Sequence, residues 1–198
     1  NKFNMCGIFG QISETEINKK KIIALVRHSE QRGVDSSGII HYEDSKYKIN
    51  RADFNIGKLI KKVKPYNSKV ILGHSRLITN GLSDNQPVIR DNICVIHNGI
   101  ITNENEVWNE IKTERKLKID SEVIVAIATE CINNGLDISK IPSKVLSLCR
   151  GVISCALVIP NQSKIVLFSN NGSLYVGNIK GSTYFASESY ALSKIGCD

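Results

Sequence analysis

The chain has 198 residues, a formal net charge of +7 and 41% hydrophobic residues, an ordinary globular composition that predicts one domain burying roughly 70% of its unfolded surface. Its apolar runs are shorter than the roughly 18 residues of a membrane-spanning helix, and no signal-peptide-like segment opens it, which excludes a membrane protein. Its basic clusters at Lys19–Lys21 and Lys58–Lys64 lack interleaved aromatic residues, which argues against nucleic-acid binding.

The first half of the chain predicts strands and helices in alternation. A strand over Gly7–Ile12 is followed by Ser13-x-x-Glu16, a pattern typical of a capping box at the start of a helix. That helix should end near Gly33. Further along, apolar and β-branched runs predict four short strands and one basic helix. These elements are the strands Ser37–His41, Tyr47–Ala52, Lys69–Gly73 and Ile93–Ile96, and the helix Ile56–Val63.

The second half predicts a group of helices followed by a group of strands. The helices are Glu104–Glu114, Glu122–Asn133 and Ile138–Leu148, and the strands are Ile153–Ile159, Lys164–Ser169, Ser173–Val176 and Thr183–Ala186. Neighbouring strands are close enough in sequence to form hairpins, and the helices are grouped between the strands. This order favours an α+β protein with antiparallel sheets over a doubly wound parallel sheet.

The cysteines and histidines show no sign of a metal site or a disulfide framework. Six cysteines contain no C-x-x-C pair, and four histidines lack the spacing of metal ligands. We therefore predict reduced thiols in a cytoplasmic protein that has neither metal nor cofactor.

Cys6 differs from the other cysteines because it follows Met5 near the start of the sequence. A chain that begins at Cys6 carries a thiol and an α-amine on one residue, with reference pKa values of about 8.5 and about 8. A nucleophile and its general base then lie side by side, as in enzymes with an N-terminal nucleophile. The alternative is a small buried cysteine that takes no part in chemistry.

Residues with strong hydrogen-bonding groups follow two of the predicted strands. Arg76 follows Lys69–Gly73, and its planar guanidinium suits a carboxylate. Asn98 and Gly99 follow Ile93–Ile96 and offer a side-chain amide and an unshielded backbone N–H. Two such donors aimed at one point stabilise an oxyanion. We expect these strand ends to present the three residues to a small ligand.

Two further polar segments each have two interpretations. Asp120 precedes the helix at Glu122–Asn133, where it acts either as an ordinary N-cap or as a site for a cation such as an α-ammonium. The segment Arg32–Gly38 follows the first helix, where it forms either a C-terminal turn with a surface ion pair or a functional loop. The residues alone leave both choices open.

Five motifs occur along the chain in a fixed order. They are Cys6-Gly7-Ile8-Phe9-Gly10, Arg32-Gly33-Val34-Asp35-Ser36-Ser37-Gly38, Gly73-His74-Ser75-Arg76, His97-Asn98-Gly99-Ile100-Ile101 and Asp120-Ser121-Glu122-Val123-Ile124. This set closely resembles the class II glutamine amidotransferase domain, the cysteine branch of the N-terminal-nucleophile hydrolases. The resemblance runs from Cys6 to about Leu192, and later landmarks lie at Gly151, Asn171–Leu174 and Phe185–Leu192.

The resemblance implies a four-layer αββα sandwich of antiparallel sheets and the hydrolysis of L-glutamine to glutamate and ammonia. It assigns Cys6 as the nucleophile, with its α-amine carrying the thiol proton to the leaving ammonia. It also implies roles for seven other residues: an oxyanion hole at Asn98 and Gly99, binding of the substrate carboxylate by Arg76 and of its ammonium by Asp120, lining of the glutamine pocket by Thr79 and Asn80, and ordering of the nucleophile by Arg32.

The motifs are similar to more than one branch of this family. His97–Glu104 looks most like the glucosamine-6-phosphate synthase branch, whereas Ala186–Ser189 is similar to the phosphoribosylpyrophosphate amidotransferase branch. Leu77 departs from both, because those branches place Trp or Tyr there, and it is similar to the asparagine synthetase branch. The amino-sugar branch is our prediction.

Family members normally join this domain to a synthase that consumes the ammonia, and no segment here resembles one. We expect the acceptor on a missing domain or a partner protein, and the resemblance leaves room for a homo-oligomer. Residues 1–5 are expected to be an N-terminal extension, either a remnant or a propeptide, and residues 6–198 the amidotransferase domain. The Cys6 nitrogen becomes a free amine only when that extension is removed.

Two other functions remain open at this point. The first is a non-catalytic glutamine-binding or scaffold subunit that has the same fold and a blocked N-terminus. The second is another N-terminal-cysteine amide hydrolase, similar to bile-salt or penicillin acylases. Those enzymes cleave hydrophobic amides, which need no charged pair such as Arg76 and Asp120.

Overall fold

The computed structural model describes residues 6–77 and 85–197. The chain divides into two compact units, which we call the terminal unit (Asn1–Pro87 with Gly172–Asp198) and the central unit (Val88–Asn171). The described residues form ten strands: β1 (Gly7–Ser13), β2 (Ser36–Glu43), β3 (Lys46–Ala52), β4 (Val70–Arg76), β5 (Val88–Arg90), β6 (Ile93–Ile101), β7 (Gly151–Ile159), β8 (Lys164–Ser169), β9 (Tyr175–Ile179) and β10 (Ser182–Ala186). They also form six α-helices: α1 (Lys19–Glu30), α2 (Ile56–Val63), α3 (Glu104–Glu110), α4 (Glu122–Asn133), α5 (Ile141–Leu148) and α6 (Ser189–Lys194).

The terminal unit is built on a six-stranded antiparallel sheet with the order β3-β2-β4-β1-β10-β9. Helices α1, α2 and α6 pack on this sheet. Their apolar side chains join alternate residues of the strands in one core, which includes Phe9, Leu25, Ile39, Ile60 and Ile71. Because β1 is an interior strand, hydrogen bonds to β4 and β10 hold it on both edges.

The central unit is built on a four-stranded antiparallel sheet with the order β5-β6-β7-β8. Helix α4 packs on this sheet and contacts α3 and α5. Its side chains Val123, Ile124 and Ile127 are buried in a core that also contains Val95 and Leu157. The strand β6, which carries Asn98 and Gly99, pairs with β5 on one edge and with β7 from Cys94 to Ile101 on the other.

The predicted α+β class with antiparallel sheets is confirmed, because every strand pair in the described residues is antiparallel. The predicted bounds of α2, α4 and β8 are those of the structure. Apolar periodicity and polar flanks were sufficient for these three elements.

The predicted capping box at the start of α1 is wrong. Ser13 is the last residue of β1 and lies opposite Ser182 in the sheet, so it cannot begin a helix. The N-cap is Asn18, whose side-chain oxygen accepts a hydrogen bond from the backbone N–H of Lys21 at 3.1 Å. The helix ends at Glu30, three residues before the predicted Gly33.

Several other bounds differ from the predictions. Strands β4 and β6 continue to Arg76 and Ile101, so Asn98 and Gly99 lie inside a strand and not after its end. Helix α3 ends at Glu110, and the segment predicted as one helix from Ile138 begins with a short 3-10 turn. The ninth strand is shifted to Tyr175–Ile179, and β5 and α6 were not predicted. These differences lie mainly where pairing with a distant strand decides whether a polar residue belongs to the sheet.

None of the helices in the described part of the chain has the length and apolar character needed to cross a membrane.

Candidate active site

The structure places Cys6 immediately before β1, beside the end of α1. The Nε of Arg32 donates a hydrogen bond to the backbone oxygen of Cys6 at 3.1 Å. The guanidinium of Arg32 also forms an ion pair with Glu188, which follows β10. Arg32 therefore belongs both to a turn with an ion pair and to the surroundings of Cys6, so the two sequence interpretations of this segment are compatible.

Three serines hold the first residues of β1. The hydroxyl of Ser187 accepts a hydrogen bond from the N–H of Ile8 at 2.9 Å, and the Ser187 N–H donates to the Ile8 carbonyl at 2.9 Å. Ser29 donates to the Gly7 carbonyl at 3.4 Å and is hydrogen bonded to Ser75. Sequence reasoning assigned no role to these serines or to Glu188, although the Phe185–Leu192 landmark contained two of them.

Arg76 is the last residue of β4 and lies near the start of β1. The register pairs Gly7 with Ser75, so Arg76 is one position beyond the last pair, on the side of Cys6. Its carbonyl accepts a hydrogen bond from the N–H of Asp35 at 3.1 Å. The terminal unit thus brings Cys6, Arg32 and Arg76 to one end of its sheet.

The loop between α1 and β2 packs tightly against the end of β4. A Cβ built on Gly33 would lie 2.4 Å from the carbonyl carbon of Arg76. Only glycine allows this close approach of two backbone segments. Thr79 and Asn80, the predicted pocket residues that follow Arg76, lie outside the described residues.

Cys6 is also distinguished from the other cysteines by its exposure. It is partly exposed, whereas the other five are buried. Burial raises the pKa of the Cys149 thiol to about 12, and it raises the pKa of Cys155 and Cys131 as well. A thiol with a raised pKa is a poor nucleophile near pH 7, because the thiolate is the attacking species.

In the central unit, the backbone of β6 is unusual at Gly99. Gly99 has a φ of 149°, in the region that favours glycine, and lies opposite Ile153 of β7. A Cβ built on Gly99 would lie 1.8 Å from the carbonyl oxygen of Val152. The preceding residue, Asn98, is 2% exposed. Glycine is therefore required here by a close contact between two strands. The predicted oxyanion donors, Asn98 and Gly99, lie in this segment.

Asp120 does not cap α4. The N-cap is Ser121, and its side chain makes no capping hydrogen bond. The Asp120 carboxylate instead turns to β6, where its Oδ2 accepts a hydrogen bond from the N–H of Ile101 at 2.8 Å. The first turn of α4 is held by the buried pair of Glu122 and Arg90, whose Nη1 and Oε1 atoms are 2.9 Å apart. The interpretation of Asp120 as an ordinary N-cap is therefore wrong.

His97 and Ser121 connect these parts of the central unit, and sequence reasoning assigned neither a role. The Nδ1 of His97 lies 2.9 Å from the Ser121 hydroxyl, and its Nε2 lies 3.2 Å from the Val152 carbonyl oxygen. The Ser121 hydroxyl is also 3.3 Å from Oδ1 of Asp120. Burial lowers the pKa of His97, although the Asp120 charge acts in the opposite direction.

Each unit carries its own set of predicted site residues. The terminal unit assembles a thiol and two guanidinium groups, from Cys6, Arg32 and Arg76. The central unit assembles an amide, a glycine N–H and a carboxylate, from Asn98, Gly99 and Asp120.

Metal-ligating side chains are not clustered in residues 6–77 and 85–197, since no group of three or more His, Cys, Asp or Glu residues there is suited to hold a metal ion.

Comparison with solved structures shows the fold. The chain is similar to the glutamine phosphoribosylpyrophosphate amidotransferase of B. subtilis, with a TM-score of 0.78 and 21% identity over 97% of this chain and 44% of that one. A second structure, of the allosteric regulatory enzyme of purine biosynthesis, gives a TM-score of 0.79 at 19% identity, with the same coverage of both chains. The predicted N-terminal-nucleophile hydrolase fold is thereby confirmed.

Comparison with sequences shows the family. The chain is 31% identical to a glutamine–fructose-6-phosphate aminotransferase (isomerizing) of Zymomonas mobilis over 96% of its length and 33% of that protein. It is 29% identical to the protein of the same name from Sulfolobus acidocaldarius over 93% of its length and 33% of that protein. The chain thus spans about one third of these relatives. A family profile described as glutamine amidotransferase domain matches residues 74–194. This match covers more than half of the sequence, and the chain therefore belongs to the glutamine amidotransferase domain family.

Proposed function

We propose that residues 6–198 form a glutaminase domain that hydrolyses L-glutamine to glutamate and ammonia, with Cys6 as the nucleophile. The placement of Cys6 is the observation that carries this proposal. It is the one cysteine of the six that is not buried, it precedes an interior strand of the sheet, and Arg32 binds its carbonyl oxygen. Membership of the amidotransferase family supplies the class of reaction.

In the proposed reaction, the sulfur of Cys6 attacks the δ-carbon of glutamine, and the thiol proton passes to the α-amine of Cys6. The amine gives this proton to the leaving nitrogen as the C–N bond breaks, so ammonia departs and a glutamyl thioester remains. Water then hydrolyses the thioester to glutamate and restores the thiol. Asn98 and Gly99 stabilise the oxyanion that forms in both steps.

In the same proposal, charged residues bind the rest of the substrate. Arg76 binds the α-carboxylate of glutamine and Asp120 binds its α-ammonium, because each offers the opposite charge with directed hydrogen bonds. Thr79 and Asn80 line the pocket around the side chain. Arg32 orders Cys6 through its backbone oxygen, to which it donates at 3.1 Å.

We further propose that the ammonia aminates a sugar or sugar phosphate on another domain or a partner protein. Relatives named as glutamine–fructose-6-phosphate aminotransferases support this choice of acceptor. A cytoplasmic location fits the proposal, since the catalytic thiol needs a reducing compartment. The acceptor is tested with amide-¹⁵N glutamine, fructose 6-phosphate and the synthase portion of the Zymomonas mobilis relative. Label in the amino sugar supports the acceptor, and label released only as ammonia contradicts it.

The glutaminase proposal is tested by measuring ammonia and glutamate released from L-glutamine by a chain that begins at Cys6. We expect equal amounts of the two products, and much less release from L-asparagine, which is shorter by one methylene. Calorimetry on the same sample measures glutamine binding. Binding without release identifies a glutamine-binding subunit, and the absence of both binding and release contradicts the proposal altogether.

Replacing Arg76 or Asp120 should mainly weaken glutamine binding. Both contacts exist before and during the reaction, so Arg76→Ala and Asp120→Asn should raise KM and change kcat less. The loss of one partner of a desolvated charge pair typically costs about 2–5 kcal/mol, so KM should rise more than tenfold. Steady-state kinetics measures the effect, and Arg115→Ala, on a partly exposed arginine of the central unit, is the control. An unchanged KM in Arg76→Ala would mean that the substrate carboxylate binds elsewhere.

A further inference from the structure

A chain of polar contacts within the central unit connects the segment around Gly99 with Asp120. It runs from the Val152 carbonyl to the Nε2 of His97 (3.2 Å), from the Nδ1 of His97 to the Ser121 hydroxyl (2.9 Å), and from that hydroxyl to Oδ1 of Asp120 (3.3 Å). His97 is 1% exposed and Ser121 is fully buried. The imidazole thus lies between the two groups to which the proposed reaction assigns oxyanion and ammonium binding.

The hydrogen-bonding partners of His97 indicate which of its ring nitrogens carries the hydrogen. A carbonyl oxygen only accepts hydrogen bonds, so the Nε2 that faces the Val152 oxygen carries the hydrogen. Burial lowers the pKa of His97, which favours the neutral ring. In the neutral ring with a protonated Nε2, the Nδ1 is an acceptor. The Ser121 hydroxyl then donates its one hydrogen to Nδ1, the closer of its two partners.

This assignment has a consequence for Asp120. Its Oδ2 accepts from the Ile101 N–H at 2.8 Å, which fixes the carboxylate plane against β6. Because the hydrogen of the Ser121 hydroxyl is directed to His97, Oδ1 keeps its capacity to accept a hydrogen bond from a ligand. Without the Nδ1 acceptor, the same hydroxyl would turn to Asp120 and compete with an ammonium group for Oδ1.

The Nε2 atom of His97 supports the backbone at Gly99 through the Val152 carbonyl. The Val152 carbonyl oxygen lies only 1.8 Å from the position that a Cβ of Gly99 would occupy. Gly99 has no side chain to hold it, so the direction of its N–H depends on the backbone packed against it. The hydrogen bond from Nε2 holds the Val152 carbonyl in that place.

We propose that His97 is a positioning residue with two separable effects: its Nε2 fixes the backbone of the oxyanion site at Gly99, and its Nδ1 holds the Ser121 hydroxyl so that Asp120 stays available for the substrate ammonium. This inference rests on the proposed glutaminase function and adds two residues to it, His97 and Ser121. Neither residue touches the reacting atoms. The two effects predict different kinetic changes, because oxyanion stabilisation acts in the transition state and ammonium binding acts in both states.

Two substitutions of His97 separate these effects. The amide of His97→Gln reaches the Nε2 position and keeps the donor to Val152, whereas the amide of His97→Asn reaches only the Nδ1 position and keeps the acceptor for Ser121. We expect His97→Gln to raise KM for glutamine with kcat nearly unchanged, and His97→Asn to lower kcat with KM nearly unchanged. Each change should be about three- to tenfold, as typical for one buried hydrogen bond. Equal effects of both variants on KM and kcat would show that the ring only fills space, and would overturn the proposal.

Substitutions of Ser121 test the Asp120 part independently. Ser121→Ala removes the hydroxyl that would compete for Oδ1 of Asp120, so the double variant His97→Gln/Ser121→Ala should recover the KM of the unsubstituted chain, whereas His97→Gln/Ser121→Thr should keep the raised KM. Ser121→Ala alone should leave KM nearly unchanged, and a raised KM in that variant would overturn this part even where the His97 variants fail to fold. An unsubstituted chain that starts at Cys6 but releases no ammonia contradicts the proposed function itself. Calorimetric glutamine affinities of His97→Gln and of the double variant His97→Gln/Ser121→Ala then decide the Asp120 part, and equal affinities overturn it.

Discussion

A chain that begins at Cys6 should release ammonia from glutamine about 10²–10⁴ times faster than one in which residues 1–5 precede it, the range that a general base typically contributes. In the longer chain the nitrogen of Cys6 is part of a peptide bond and cannot accept the thiol proton. Ammonia release is measured for both forms, and intact mass confirms each N-terminus. Equal rates would mean that another base serves the thiol, and the N-terminal-nucleophile mechanism would then be wrong.

The same comparison identifies the attacking atom. In the chain that begins at Cys6, a glutamine analogue with an electrophile at the δ-carbon should add one label, and Cys6→Ala should abolish both labelling and ammonia release. Cys6→Ser should be nearly inactive, because a hydroxyl is a poorer nucleophile than a thiol when the base is an amine. The matched control is Cys131→Ala, on a buried cysteine with a raised pKa. Label found on Cys94 or Cys155 would contradict the assignment of Cys6.

Removal of the Asn98 amide should lower kcat by about 10²–10³, the typical loss for one oxyanion donor. The amide is most useful once negative charge has formed on the substrate oxygen, so KM should change little. Asn98→Ala is compared by steady-state kinetics with Asn133→Ala, which makes the same chemical change at an exposed position near the end of α4. A fall in glutamine affinity with an unchanged kcat would show that Asn98 binds the substrate and does not stabilise an oxyanion.

The elements that sequence reasoning predicted with correct bounds are those whose signals are local. Helices α2 and α4 have apolar faces or runs, and α2 also has an N-cap at Asn55. The start of α1 was misplaced because Ser13 and Glu16 match a capping box, whereas pairing with Ser182 keeps Ser13 in a strand. A local sequence pattern cannot predict pairing with a strand so far along the chain. Strands β4 and β6 were predicted too short for the same reason: pairing with other strands keeps their polar residues in the sheet.

The candidate site was predictable to a similar extent. The ordered motifs identify the family, and they contain candidate site residues such as Arg32 and Asp120. The residues that support the site could not be predicted from the sequence, because their interactions are defined only in three dimensions. Ser187 is hydrogen bonded to Ile8 across 179 positions of the sequence. His97 belongs to one of the motifs, but its position in the sequence gives no sign of its contacts with Val152 and Ser121.

The bond between Ile8 and Ser187 also has a consequence for biosynthesis. The strand β1 is synthesised before its partner β10, and the anchoring Ser187 follows Ile8 by 179 residues. At about 5–20 residues per second, the start of β1 waits roughly 10–40 s for that anchor. During this interval a nascent chain carries Cys6 without the segment that holds the start of β1 in place. Under the proposed function, glutamine hydrolysis should begin only once translation has passed β10.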